Sequence, residues 1–173
     1  ENKNQLNFYR KKYLINISKD NLNPIIFSLL VNDLFIRYQT FEYQGKTYFK
    51  DRGYSFEEQV NENTEGILDK PLISYQQPEF KSNIPMLIIS PTIMNDGRKL
   101  FISPQHISYM NSSKLEKNRN YTKLAEGIDF RHFFRQQNAD SLRFLSALRM
   151  NASFPYITPN ISLPSEPPLE IMD

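Results

Sequence analysis

The chain has 173 residues, 39% of them hydrophobic and 13% aromatic, which suits one buried core of ordinary size and not a disordered polymer. A formal net charge of +2 supplies no global basic field, so nucleic acid is not implied as a partner. There is no cysteine, which excludes disulfides and thiolate metal sites, and no apolar run approaching the roughly 18 residues that a membrane-spanning helix needs.

Residues 1–20 are polar and basic, with Phe8, Tyr9, Tyr13 and Ile15 on one weak helical face. Asn23-Pro24 opens a helix that the spacing carries to about Arg37, since Asn caps and Pro fits the first turn. Its apolar stripe (Ile25, Ile26, Leu29, Leu30, Leu34) is wide and predicts deep burial. From Phe41 to Phe49, aromatic and polar residues alternate around Gln44-Gly45, the pattern of a β-hairpin. Lys50 to Tyr54 reads as a charged turn. Ser55 and Glu58 have capping-box spacing for a short helix to about Glu62. Residues 63–78 read as loop.

Met86-Leu87-Ile88-Ile89 is continuously apolar, as a strand covered on both faces is. Asn95-Asp96-Gly97 makes a turn, and Leu100-Phe101-Ile102 is the return strand. Pro91 belongs at a bulge or strand end, because it cannot donate to a ladder. Between Tyr109 and Lys123, Lys114, Lys117, Arg119 and Lys123 face a single acid, Glu116. That segment reads as a solvated loop, or as one that touches anionic headgroups. Phe130, Phe133 and Phe134 suggest a helical turn. A further helix follows, with Asn138 or Asp140 as cap and Leu142, Leu145 and Leu148 on one face, and Phe154-Pro155 stops it. A proline-rich loop leads to a short apolar strand, 169–172, and Asp173 stands at its end. Open α/β sheets place their chemistry at the carboxyl ends of strands.

Other chemistry is sparse. The Asn-x-Ser/Thr triplets at Asn111, Asn120, Asn151 and Asn160 are chance matches in an asparagine-rich chain. His106 and His132 have no metal-ligand partner at useful spacing and read as surface or hydrogen-bonded structural residues. Asp51 with Arg52, and Asp96 with Arg98, read as turn residues beside Gly53 and Gly97. The five glycines, at 45, 53, 66, 97 and 127, form no glycine-rich loop, and no Gly-x-Ser-x-Gly occurs.

The sequence Ala147-Leu148-Arg149-Met150-Asn151-Ala152-Ser153-Phe154-Pro155, followed by a loop, a short strand and Asp173, resembles the end of a patatin-like phospholipase domain in its large bacterial form. The resemblance extends upstream to about Asn21 and includes the strand–turn–strand at 86–103, with Thr92, Asn95 and Gly97. It implies an α/β fold, part of a three-layer α/β/α sandwich with a mixed sheet that takes in strands near 86–90, 99–103 and 169–172. It implies lipid acyl hydrolysis by a Ser-Asp dyad, in which Asp173 activates the serine without an intervening histidine. The serine and its oxyanion loop would lie outside this chain, as would the two small residues that follow the Asp in the family. Residues 1–173 would then be a fragment of a single domain, inactive alone. No metal or other cofactor is required. The implied partners are a phospholipid or other acyl-ester lipid and, peripherally, a membrane surface, in the cytoplasm or at the membrane of a bacterium. The alternative is a non-catalytic lipid- or protein-binding α/β module.

Overall fold

The computed structural model describes residues 11–12, 14–16, 18–35, 39–43, 45–111 and 126–173. The basic residues Lys114, Lys117, Arg119 and Lys123 lie outside the described residues. The chain is mixed α/β and divides into two compact units, Glu1–Asp69 and Lys70–Asp173.

In the first unit, helix α1 (Leu22–Phe27) continues as a π-helical turn over Ser28–Asp33. Its start is set by Asp20, whose carboxylate accepts from the N–H groups of Leu22 and Asn23. The expected deep burial is not observed. Only Ile25 and Ser28 are buried, while Leu22, Ile26, Phe27, Leu30 and Leu34 are each more than 40% exposed. A wide apolar stripe records what a helix can bury, and this helix buries a narrow strip of it. The hairpin forms as expected. Strands β1 (Thr40–Tyr43) and β2 (Lys46–Phe49) pair antiparallel, Thr40 opposite Phe49, with Gly45 at φ +73° in the turn. The ring of Phe41 packs on Tyr48 and Tyr54, with centroids 5.6 and 5.1 Å away.

Helix α2 (Arg52–Asn63) begins earlier than the capping box predicts. Asp51 is its N-cap, accepting from the Tyr54 N–H at 2.7 Å. Ser55 lies inside the helix and returns its hydroxyl to the Asp51 carbonyl. Asp51, read from the sequence as a turn residue, takes the cap four positions before Ser55 because its carboxylate meets a free N–H of the first turn. Arg52 is not a turn residue either: it pairs with Asp33 at 2.8 Å. Asn63 is buried and donates to the Asn21 side chain and the Asp20 carbonyl, closing the unit around α1.

In the second unit the expected loop before residue 78 contains helical turns, a 3₁₀ turn over Leu72–Tyr75 and helix α3 (Gln76–Phe80). Pro78 sits in the first turn of α3, where its missing N–H costs nothing. The core is a five-stranded mixed sheet in the order β5-β4-β3-β7-β6. Its strands are β3 (Thr92–Ile93), β4 (Lys99–Phe101), β5 (Gly127–Asp129), β6 (Ile161–Leu163) and β7 (Leu169–Met172). Strand β3 is antiparallel to both β4 and β7, and β5 is parallel to β4. So β4, β5 and β7 all point the same way.

The segment before β3 differs from its expectation. Residues 86–89 form no strand; Ile89 alone makes an isolated bridge, exchanging both backbone bonds with Ile102. Met86 is 51% and Ile88 37% exposed, so the run is not covered on both faces. Burial instead alternates: Ile89, Pro91 and Ile93 are buried, Ile88, Ser90, Thr92 and Met94 are not. A period of two covers one face only, whatever the composition of the other. Pro91 lies just before β3, as a residue without an N–H must; its carbonyl accepts from Leu100. The turn forms as expected, with Gly97 at φ +75°. There the Arg98 side chain, and then its backbone N–H, hold the Asp96 carboxyl below the usual carboxylate range.

Helix α4 (Phe130–Phe133) follows β5 directly. Helix α5 (Phe144–Asn151) starts later than either expected cap, because residues 139–141 take a 3₁₀ turn and Asn138 is left-handed. It buries Phe144, Leu145, Ala147 and Met150 and packs against β7. Leu142 precedes the helix and Leu148 is half-buried, so the expected three-leucine face does not form. Strand β6 lies within the expected proline-rich loop.

Gly127 is fixed by contact. A Cβ there would lie 2.4 Å from Cε2 of Phe101 and 3.0 Å from the Lys99 carbonyl oxygen. Gly127→Ala is therefore expected to destabilise the chain by about 1–3 kcal/mol in a denaturant melt, as overpacking does. An unchanged midpoint would mean that β5 does not lie against β4.

Candidate functional site

The common direction of β4, β5 and β7 brings three carboxyl ends to one edge of the sheet. This is the edge at which open α/β sheets place ligands. Asp173 leaves β7 there. Its strand is held in two places. Thr92 pairs with Met172 and Ile93 with Ile171, which sets Asp173 beside the N-terminal side of β3. At the other end the Asn95 side chain clips the start of β7: Oδ1 accepts from the Glu170 N–H at 2.8 Å, and Nδ2 donates to the Pro168 carbonyl at 3.1 Å. The Met94 N–H adds a bond to the Glu170 carbonyl. The hairpin residue Asn95 thus acts as a brace for the strand that carries Asp173. On the edge itself, the Ser90 N–H donates to the side chain of Asn151, the last residue of α5. Asp173 is exposed, and among the described residues no group donates a hydrogen bond to its carboxylate. A solvent-facing, unengaged carboxylate at a braced strand end is free to accept a proton from a hydroxyl brought to it.

A second feature lies on the same edge, beyond β3. The turn after β4 carries His106 and the helix after β5 carries Arg131 and His132; with Arg135, Asn138, Ala139 and Asp140 they line a cleft of about 390 Å³. At one strand spacing of about 4.8 Å, β4 is roughly 10 Å across the sheet from β7. Asp129 builds the cleft. It is 2% exposed, caps α4 through the N–H groups of Arg131 and His132, and accepts the Ser108 hydroxyl at 2.7 Å. Arg131 is fixed by Asp140 at 2.7 Å and by the Pro104 carbonyl. Arg135 makes no ion pair among the described residues. The cleft is polar with a cationic excess, and its N–H donors suit an oxyanion rather than an acyl chain.

Of the residues singled out in the sequence, Asp173 stands at the strand end as expected. His106 and His132, read separately as surface or structural residues, converge on one cleft. That convergence had no signal in the sequence, since the two are 26 positions apart and β5 was not anticipated. Asp96 and Arg98 lie in the turn as expected, and the structure adds an ion pair between them. Among the described residues no group of three or more His, Asp or Glu side chains is placed to hold a metal ion. No helix of the described residues is long and apolar enough to cross a membrane. No family model, curated protein or solved structure matches the chain.

Proposed function

We propose that this chain is the base-bearing part of a patatin-like lipid acyl hydrolase, with the mixed sheet as the middle layer of a three-layer sandwich. The observation that carries the reading is the position of Asp173: a free carboxylate at the carboxyl end of a braced strand, on the edge where β4, β5 and β7 all end. The resemblance of 147–173 to the family supplies the rest.

In this scheme a serine hydroxyl, carried by a Gly-x-Ser-x-Gly segment outside the 173 residues, meets the Asp173 carboxylate. The carboxylate takes the hydroxyl proton as the oxygen attacks the acyl carbonyl. The ester C–O bond then breaks, and the proton passes to the leaving alcohol. Water repeats the sequence on the acyl-enzyme and releases the fatty acid. A carboxylate is a weak base, so its placement does more than its basicity, which is why the clip by Asn95 matters. Backbone N–H groups for the developing oxyanion, a contribution often worth about 3–4 kcal/mol, would come with the nucleophile. A partner membrane and a phospholipid or other acyl-ester substrate follow from the same reading.

The 173 residues alone are expected to be inert toward a short-chain aryl ester, and the longer protein with its serine motif to release fatty acid from phospholipid. Serine-dependent turnover by the purified 173-residue chain would overturn the assignment of the site to Asp173 and an outside serine. A longer protein with no acyl hydrolase activity on either substrate would overturn the reading as a whole.

A further inference from the structure

The turn between α5 and β6 is built inside out. Ser153 and Thr158 are buried, at 1% and 6% exposure, while Phe154, Tyr156 and Ile157 are 59%, 95% and 52% exposed. The buried polar groups are satisfied. The Ser153 hydroxyl donates to the Arg149 carbonyl at 2.8 Å, and the Thr158 hydroxyl accepts from the Phe154 N–H at 2.9 Å. The N–H groups of Ile157 and Thr158 both return to the Phe154 carbonyl. The turn is therefore a knotted, hydrogen-bonded structure that holds apolar side chains out. Tyr156 is held at φ +68°, a left-handed conformation that a bulky side chain adopts only at a cost. A turn selected for stability alone would carry glycine there.

Both ends of this turn are pinned at the Asp173 edge. Asn151, on one side, takes the Ser90 N–H. Ile161, on the other, pairs with Ile171, two residues before Asp173. The exposed apolar side chains therefore stand at the rim of the candidate active site.

We infer that residues 154–157 form an interfacial wedge that enters the apolar boundary of a lipid surface and seats the Asp173 edge on it. The occupant follows from charge. Residues 150–165 contain no Asp, Glu, Lys or Arg, in a chain of which 23% is charged. Protein partners are commonly registered by complementary charge, and the turn itself offers none. Phe, Tyr and Ile on an uncharged turn match the boundary between headgroups and acyl chains, where aromatic side chains with one polar end reside. The choice of a lipid rests on the acyl-hydrolase reading, but the wedge is tested without any turnover.

The chain has no tryptophan, so Tyr156→Trp creates a single indole reporter at the tip. With electrically neutral phosphatidylcholine vesicles, its emission is expected to shift blue and to be quenched by brominated acyl chains. Phe154→Ser and Ile157→Ser, made in the same background, are each expected to weaken vesicle binding about tenfold, the effect of removing one large apolar group from a buried state. Tyr156→Gly is expected to lose binding while its melting temperature holds or rises, since glycine fits the left-handed backbone; a turn that serves only the fold would not give that pair. Asp173→Asn should bind like the parent, which separates this proposal from the dyad. An indole whose emission does not respond to vesicles would overturn the wedge. So would an indole already blue and shielded from a soluble quencher before vesicles are added, because the turn would then be covered by protein.

Discussion

Asp173→Asn, made in a longer chain that supplies the proposed serine, is expected to lower kcat/KM by about 100- to 10,000-fold on both a phospholipid and a soluble ester if the proposed dyad holds, the usual range for loss of a general base. The substitution keeps the shape of the side chain and removes its charge and its ability to accept a proton. The fold has little reason to respond. Asp173 is exposed, and the bonds that hold β7 in the sheet come from Asn95, from Met94 and from the pairing of residues 169–172. The melt of the variant should therefore overlay that of the parent. Glu166→Gln is the matched control. Glu166 is an exposed carboxylate in the loop between β6 and β7, off the carboxyl edge of β7, and its substitution should leave both rates within about twofold. A parent-like rate for Asp173→Asn on both substrates, with an unchanged melt, would make Asp173 a strand-end residue and discard the dyad.

The parts of the fold legible in the sequence are those in which a local rule and the tertiary structure agree. Gln44-Gly45 and Asn95-Asp96-Gly97 needed left-handed glycines, and Gly45 and Gly97 adopt them. Strand β7 was readable because an apolar run stood isolated between prolines and an acid. Helix α5 was readable as a helix but not in its start, since Asn138 spends its left-handed backbone on the turn before it and leaves Arg143 at the cap position. Strands β5 and β6 were invisible. Each has three residues, too few for a period, and they are strands because β4 and β7 offer them an edge. The same limit hid the cleft: His106 and His132 meet only because β5 is parallel to β4. Asp173 could be picked out by its place after a strand, but the brace from Asn95 spans 75 positions and leaves no local trace.

The segment 86–93 allows the sharpest stability test, because composition and burial disagree there. Ile88 and Ile93 are chemically identical, and the continuous apolar run at 86–89 leads to the expectation that Ile88 is covered on both faces. In the structure Ile93 is fully buried at the centre of the sheet, between β4 and β7, while Ile88 is 37% exposed before the strand begins. Ile93→Asp removes a large apolar side chain from a filled site, a loss of about 2–5 kcal/mol for such a truncation. It also places a carboxylate where no donor waits, so the group must either stay charged in an apolar medium or take up a proton, and each route adds several kcal/mol. Against a domain stability of about 5–15 kcal/mol, Ile93→Asp is expected to leave little or no folded protein at 25 °C. Ile88→Asp can turn its carboxylate to water and should cost about 1 kcal/mol, the ordinary effect of a point substitution. Urea titrations followed by circular dichroism would read both. If Ile88→Asp unfolds the chain and Ile93→Asp is tolerated, the strand lies at 86–90 with its register slipped by an odd number of residues. A slip of that kind exchanges the two faces of β3 and moves Thr92 and Met172 out of their pairing. It would take Asp173 away from the position on which the proposed chemistry depends.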